Sequence, residues 1–220
     1  MPRFGSLVPL LVLVCAAGLL AGSPAQAQIP AFAAASRVPP AKGEQIAVFA
    51  GGCFWGVDAV FKHVKGVSSV VSGYSGGGAA TARYGVVSTG VTGHAESVQI
   101  TYDPSQISYS ELLRVFFAVA HDPTQLNRQG PDVGSQYRSA IFYANEAEQQ
   151  TAQAYIDQLN KARVFSGLIV TQVVPFERFY PAEAYHQNYL ALHPDQPYIV
   201  YNDMPKLRRL QEQFPGLYTK

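Results

Sequence analysis

Ala47-Val48-Phe49-Ala50-Gly51-Gly52-Cys53-Phe54-Trp55-Gly56 carries the chain out of a short apolar run, residues 45–50, through two glycines and into a stretch with helical spacing. The run has the pattern of a strand covered on both faces. Beyond it Val57, Val60, Phe61 and Val64 recur at intervals of three and four, the stripe of a helix packed on such a strand. Further along, residues 67–74 read as a strand that ends in Gly76-Gly77-Gly78, and residues 79–93 as a long polar loop of the kind that carries function. Residues 96–102 alternate as a half-buried strand does. Ser110 is placed to cap a helix whose stripe is Leu112, Val115, Phe116 and Val119. A second polar loop, 121–136, leads to a strand at 137–143, an Asn145-capped helix to about residue 163, a strand at 168–174 and a helix at 181–192. With one strand following another directly, this order predicts an α+β fold: a two-layer α/β sandwich with a ferredoxin-like core, whose mixed, mostly antiparallel sheet carries helices packed on it.

Residues 1–27 have the plan of a secretory signal peptide, with Arg3 in the positive region, an apolar core from Leu7 to Leu20, and Ala25-Gln26-Ala27 as the cleavage signal. The apolar core falls short of the ~20 residues of a membrane span. Export to the periplasm or outside the cell is expected, with no stable membrane insertion. Residues 28–43, rich in Ala, Pro and Ser, read as a flexible tether, and 44–220 as one domain. Without Arg3 the 16 basic residues come level with the 15 acidic ones, so no basic stripe points to nucleic acid, and a monomer is the expected state.

The chain has two cysteines. Cys15 lies within the leader, where lipidation is a lesser alternative to cleavage, and Cys53 is left without an intramolecular partner. A thiol of that kind is either a buried inert hydrophobe or a reactive nucleophile. Its place at a helix start favours thiolate, through unpaired N–H groups and the positive end of the macrodipole. Phe54 and Trp55, about 100° apart on a helix, cannot both face one core, so at least one is a candidate wall of the site. Counting by twos puts Glu96 on the apolar face of Val98, Ile100 and Tyr102. Parity alone leaves two readings: a desolvated carboxyl held protonated as a general acid, or a polar strand end in water. Tyr84, Asp132 and Tyr137 sit on or beside the polar loops. The five histidines lack ligand spacing, no C-x-x-C occurs, and the glycine run lacks a phosphate-loop spacing, so no metal or bound cofactor is expected.

Four ordered motifs then converge: Gly51-Gly52-Cys53-Phe54-Trp55-Gly56; Tyr84 with Gly93-His94-Ala95-Glu96; Asp122-Pro123-Thr124-Gln125 through Asp132 to Gln136-Tyr137-Arg138-Ser139; and Tyr185-His186-Gln187 with Tyr189-Leu190. Together they closely resemble the peptide methionine sulfoxide reductases of the A type, in an exported form with one cysteine and no resolving cysteines near the C-terminus. The resemblance implies thiol-dependent reduction of methionine-S-sulfoxide, free or in proteins, and hence protein repair after oxidative damage. By the same resemblance Cys53 is the nucleophile, Glu96 the proton donor, and Tyr84 and Tyr137 donors to the sulfoxide oxygen. Phe54 and Trp55 would form the methyl pocket, and Asp132 would position the substrate. Oxygen transfer leaves a sulfenic acid on Cys53, which a thiol must condense with. With no second cysteine in the tail, the reductant is expected to be external, a thioredoxin-like protein or glutathione. Two rivals remain at this level: an acyl transferase pairing Cys53 with His94 or His186, and a non-catalytic module that captures methyl-sulfur groups.

Overall fold

A computed structural model describes residues 29–33 and 43–220; the segment read as a leader, and most of that read as a tether, lie outside the described residues. Strand β1 (Gln45–Gly51) runs into helix α1 (Phe54–Lys62) and then β2 (Val67–Ser75). A short helix α2 (Tyr84–Val87) sits in the following loop, before β3 (Ala95–Tyr102) and α3 (Tyr109–Val115). The hairpin β4 (Arg128–Gln129) and β5 (Asp132–Val133) precedes β6 (Ser139–Tyr143), α4 (Glu146–Lys161), β7 (Gln172–Pro175) and β8 (Phe179–Pro181). Helices α5 (Tyr189–Leu192) and α6 (Met204–Gln213) complete the chain.

Six strands form one sheet in the order β7-β6-β1-β3-β2-β8. The β1–β3, β1–β6, β2–β3 and β2–β8 pairs are antiparallel, and β6–β7 is parallel across the α4 connection. Strand β1 is central, and its side chains divide between two cores. Ala47 and Phe49 join Val57, Val60 and Phe61 of α1 and the apolar faces of α3 and α4. Val48 and Ala50 face the other way, onto Ala140 and Phe142, beneath Phe176 and Phe179. Burial on both sides explains the continuous apolar run.

Several boundaries differ from the sequence reading, each for a local reason. Ser108, not Ser110, caps α3: its hydroxyl accepts the Glu111 N–H while the Glu111 carboxylate reaches back to the Ser108 N–H, a complete capping box. Strand β7 begins at Gln172, not 168, because the Ile169 and Val170 N–H groups are taken by Asn160 Oδ1 and the Pro123 carbonyl. The single helix expected at 181–192 is broken. Residues 179–181 pair with β2, and Asn188 takes a left-handed φ of 56°. Gln187 spends its side chain on the backbone of Ser72 and Ala182. Beyond Val115 the backbone widens into a π turn over Phe116–Ala120, a feature common next to functional sites.

Part of the segment expected to be a tether is docked on the domain. Ile29 is buried in the main core. Its carbonyl accepts from Arg114, that of Pro30 from the Tyr155 hydroxyl at 2.7 Å, and Gln158 brackets Ala31 and Ala33.

Candidate active site

The β1–α1 turn is forced by its glycines. Gly52 has φ +88°, and a Cβ there would lie 2.4 Å from Cβ of Gln129, so only glycine lets the β4 hairpin close over the turn. Gln129 is in turn locked to the backbone of Asp122 through both ends of its amide. Cys53 follows as the N-cap residue of α1, 8% exposed. Its side chain makes no cap hydrogen bond, so the thiol is left for other partners.

Of the two readings for Glu96, the structure selects the inward one: the residue is 2% exposed and lies opposite Tyr74 in the β2–β3 pairing. Its Oε2 accepts the Phe54 N–H at 3.0 Å, which fixes the carboxyl at the first turn of the helix that Cys53 caps. Burial outweighs that hydrogen bond and raises the Glu96 pKa to about 8, with smaller contributions from Asp132 and Asp203. At neutral pH the carboxyl is mostly protonated.

The thiol departs from expectation. The helix N-terminus acts in the expected direction, through the Trp55 N–H, but burial first, then the carboxylates of Glu96 and Asp203, push the Cys53 thiol well above its ordinary range. Desolvation of an anion outweighs one turn of backbone dipole, so the resting nucleophile is a thiol.

One cavity gathers Cys53, Phe54, Trp55, Tyr84, Glu96, Asp132 and Tyr137, all seven residues singled out in the sequence, together with Tyr198. Burial raises the pKa of the Tyr84 and Tyr137 phenols, so both hold their protons as donors. Tyr84 is placed by Glu183, whose carboxylate accepts the Tyr84 N–H and the Tyr74 hydroxyl, both at 2.9 Å. Tyr137 ends a single 3₁₀ turn held by Arg138, whose guanidinium spans the Ser135 and Gly93 carbonyls and so ties the Tyr137 turn to the start of the Glu96 strand.

The aromatic wall rests on His186. Its Nδ1 accepts from the Trp55 indole at 3.2 Å, its ring packs 4.9 Å from Phe54 and 4.5 Å from Tyr84, and burial lowers its pKa. Trp55 also stacks on Tyr189 at 3.7 Å. His94 lies elsewhere, bonded to the Gly78 carbonyl. Among the described residues no histidine hydrogen-bonds to Cys53, so the cysteine–histidine pair needed for acyl transfer is missing.

The sequence reading did not pick out Tyr198, which donates to Asp132 Oδ2, or the buried pair of Lys206 and Asp203, 3.1 Å apart. Both lie in the C-terminal segment. Gly56 exists for the ion pair: a Cβ there would meet Asp203 Oδ1 at 2.1 Å and Lys206 Nζ at 2.7 Å. The Asp-x-x-Lys spacing was the one available signal for it, whereas nothing separates Tyr198 in sequence from the other twelve of the 13 tyrosines.

Residues 45–216 match the family model for peptide methionine sulfoxide reductase. The chain belongs to that family. The peptide methionine sulfoxide reductase MsrA 2 of Mesorhizobium japonicum is 59% identical over 180 residues, 82% of this chain and 92% of the relative. Among solved structures, methionine sulfoxide reductase A of Corynebacterium diphtheriae aligns with a TM-score of 0.62 at 35% identity, covering 70% of this chain and 77% of that one. Reduced Mxr1 of Saccharomyces cerevisiae gives 0.62 at 33%, covering 70% and 87%. The reductase is an oxidoreductase that reduces methionine sulfoxide with an external thiol, and its mixed α+β fold is that of its structural relatives.

Proposed function

We propose that the chain reduces the S epimer of methionine sulfoxide with Cys53 as oxygen acceptor and Glu96 as proton donor. One observation carries these roles: a protonated, buried carboxyl is fixed on the Phe54 N–H, one residue from a buried thiol in a cavity walled by aromatic rings. The substrate sulfur meets Cys53, its methyl group lies against Phe54 and Trp55, and its oxygen faces Glu96, Tyr84 and Tyr137. A methyl site and an oxygen site on different sides of one nucleophile accept one configuration at sulfur. Glu96 protonates the oxygen as charge builds on it, the oxygen passes to Cys53 sulfur, and methionine leaves. The proton that Cys53 gives up replaces the one lost by Glu96, so the step needs no outside acid. Asp132, held by Tyr198, sits at the rim to orient the substrate backbone. Enzyme given a methionine sulfoxide peptide without reductant should release about one methionine per Cys53 and carry a sulfenic acid there. Cys53→Ser should release none; methionine formed by that variant would sink the assignment.

The strand order β6-β1-β3-β2, with β1 and β2 both antiparallel to the strand between them, supports a ferredoxin-like reading of the core. We further read residues 1–27 as a leader that sends a monomeric domain to the periplasm or beyond. N-terminal sequencing of protein recovered from cell fractions should begin at Gln28, and sedimentation should give one chain per particle; a cytoplasmic chain starting at Met1 would overturn the export reading.

A further inference from the structure

Cys53 lines two cavities. The first holds the oxygen and methyl sites described above. The second is lined by Ala118 and His121 at the end of the π turn, Gln129 of the hairpin, and Lys206 and Arg209 of α6. The two share Cys53, Asp132 and Tyr198 alone. Beyond those three, no residue of the second cavity has a part in the oxygen-transfer step.

We propose that this second cavity is the entry for the reducing thiol, and that it takes a small thiol bearing a carboxylate, with Arg209 holding the carboxylate while the sulfur reaches Cys53. The proposal rests on the reading of Cys53 as oxygen acceptor. Attack on a sulfenic acid is in line: the incoming lone pair enters the antibonding orbital on the far extension of the S–O bond. That oxygen arrives on the side of Glu96, Tyr84 and Tyr137, none of which lines the second cavity, so a thiol entering through that cavity reaches Cys53 away from the oxygen's donors. The cavity also has a cation outside any ion pair among the described residues. Lys206 is neutralised by Asp203, Asp132 is engaged by Tyr198, and Asp122 by Thr124 and Gln125. Arg209 forms no salt bridge among the described residues, Glu212 offsetting its charge only from beyond ion-pair distance; it reaches one carbonyl, Val119, at 3.4 Å, and its Nε is buried without a hydrogen-bond partner. A partly desolvated guanidinium that lines the cavity and holds one long hydrogen bond can take a carboxylate in a charge-assisted pair.

The chemistry balances with two molecules of thiol. The first loses its proton to water and forms an S–S bond to Cys53 as the S–O bond breaks. The hydroxyl leaves as water, taking a proton from Glu96, which faces that oxygen already. The second thiol loses its proton to water and attacks the mixed disulfide at the sulfur of the first, releasing a symmetrical disulfide and Cys53 as thiolate; Cys53 and Glu96 each regain one proton from solvent, matching the two that the thiols released. Two thiols are oxidised and the sulfenic sulfur is reduced by two electrons.

The test follows decay of the Cys53 sulfenic acid after one equivalent of methionine sulfoxide peptide, by mass after dimedone trapping. Glutathione and 3-mercaptopropionate carry carboxylates, and 2-mercaptoethanol carries none; rates are compared per thiolate. In Arg209→Gln the constants for the two carboxylate thiols should fall on the order of tenfold, the loss of one charge-assisted contact, and that for mercaptoethanol should stay within about twofold. Ala118→Phe, which fills the cavity, should slow all three thiols. The single-turnover yield of methionine reports folding in each variant. An equal response of charged and neutral thiols to Arg209→Gln, including no response, overturns the proposal. Absence of a methionine burst in the unaltered enzyme would instead remove the oxygen-acceptor reading on which it rests.

Discussion

Glu96 is kept protonated by the same burial that destabilises its charged form. Its folded pKa, about 8, lies above that of an exposed carboxyl, so between those two values the native state binds more protons than the unfolded chain. Stability contributed by the neutral carboxyl is therefore present at low pH and lost as pH rises toward 8. Glu96→Gln keeps the shape without the charge. It should lower kcat by a factor of roughly 10²–10⁴ while raising the melting temperature relative to wild type at pH 8 and above. A thermal melt across pH together with a rate measurement checks both halves. In the wild type kcat/KM should decline above about pH 8 as Glu96 loses its proton, and Glu96→Gln should lose that limb. A full-rate Glu96→Gln enzyme would remove the proton-donor role. At this scale the sequence was informative for Glu96 because strand parity is local arithmetic. It misjudged the Cys53 proton because burial, and after it the charges of Glu96 and Asp203, come from packing with parts of the chain far away in sequence.

The β1–α1 unit is the element on which the site hangs, and its two glycines are fitted to different neighbours. Gly52→Ala would force a side chain into a left-handed φ and against Gln129. A cost of about 1–3 kcal/mol in urea unfolding, with a large fall in kcat, is expected from displacement of the hairpin. Ser108→Ala offers the contrast: loss of the α3 cap should cost about 1 kcal/mol and leave kcat unchanged, since the cap lies away from the cavity. A kcat change in Ser108→Ala would show that α3 stability reaches the site. Elements whose signals are local were legible in sequence: β1, α1, β3 and the Asn145-capped α4. The break between residues 181 and 192 was not, because it is made by Gln187 bonding to β2, over a hundred residues away. Likewise Tyr198 and Lys206 reach the site only through tertiary packing of the C-terminal segment.

Across the whole molecule, the docking of residues 29–33 shows how narrow the balance is. Ordering five residues costs about 1–2 kcal/mol each. Burial of Ile29 returns about 1.5–3 kcal/mol, and four hydrogen bonds return about 1 kcal/mol apiece, with the edge contact of Phe32 on Tyr155 added. The terms nearly cancel. A chain beginning at residue 43 should thus lie within about 2 kcal/mol of the longer one in denaturant and keep its kcat; a larger loss would mean that the segment organises α4. Composition hid this docking: a stretch rich in Ala and Pro carries little apolar signal, and one isoleucine and one phenylalanine decide its fate.

That anchor also bears on how the chain would fare if it is exported. If the leader is cut after Ala27, Ile29 is the second residue of the mature chain, and its side chain is already in the core. An aminopeptidase working inward would soon have to pull Ile29 out of the core. Processing that stops at Gln28 would leave an end resistant to trimming.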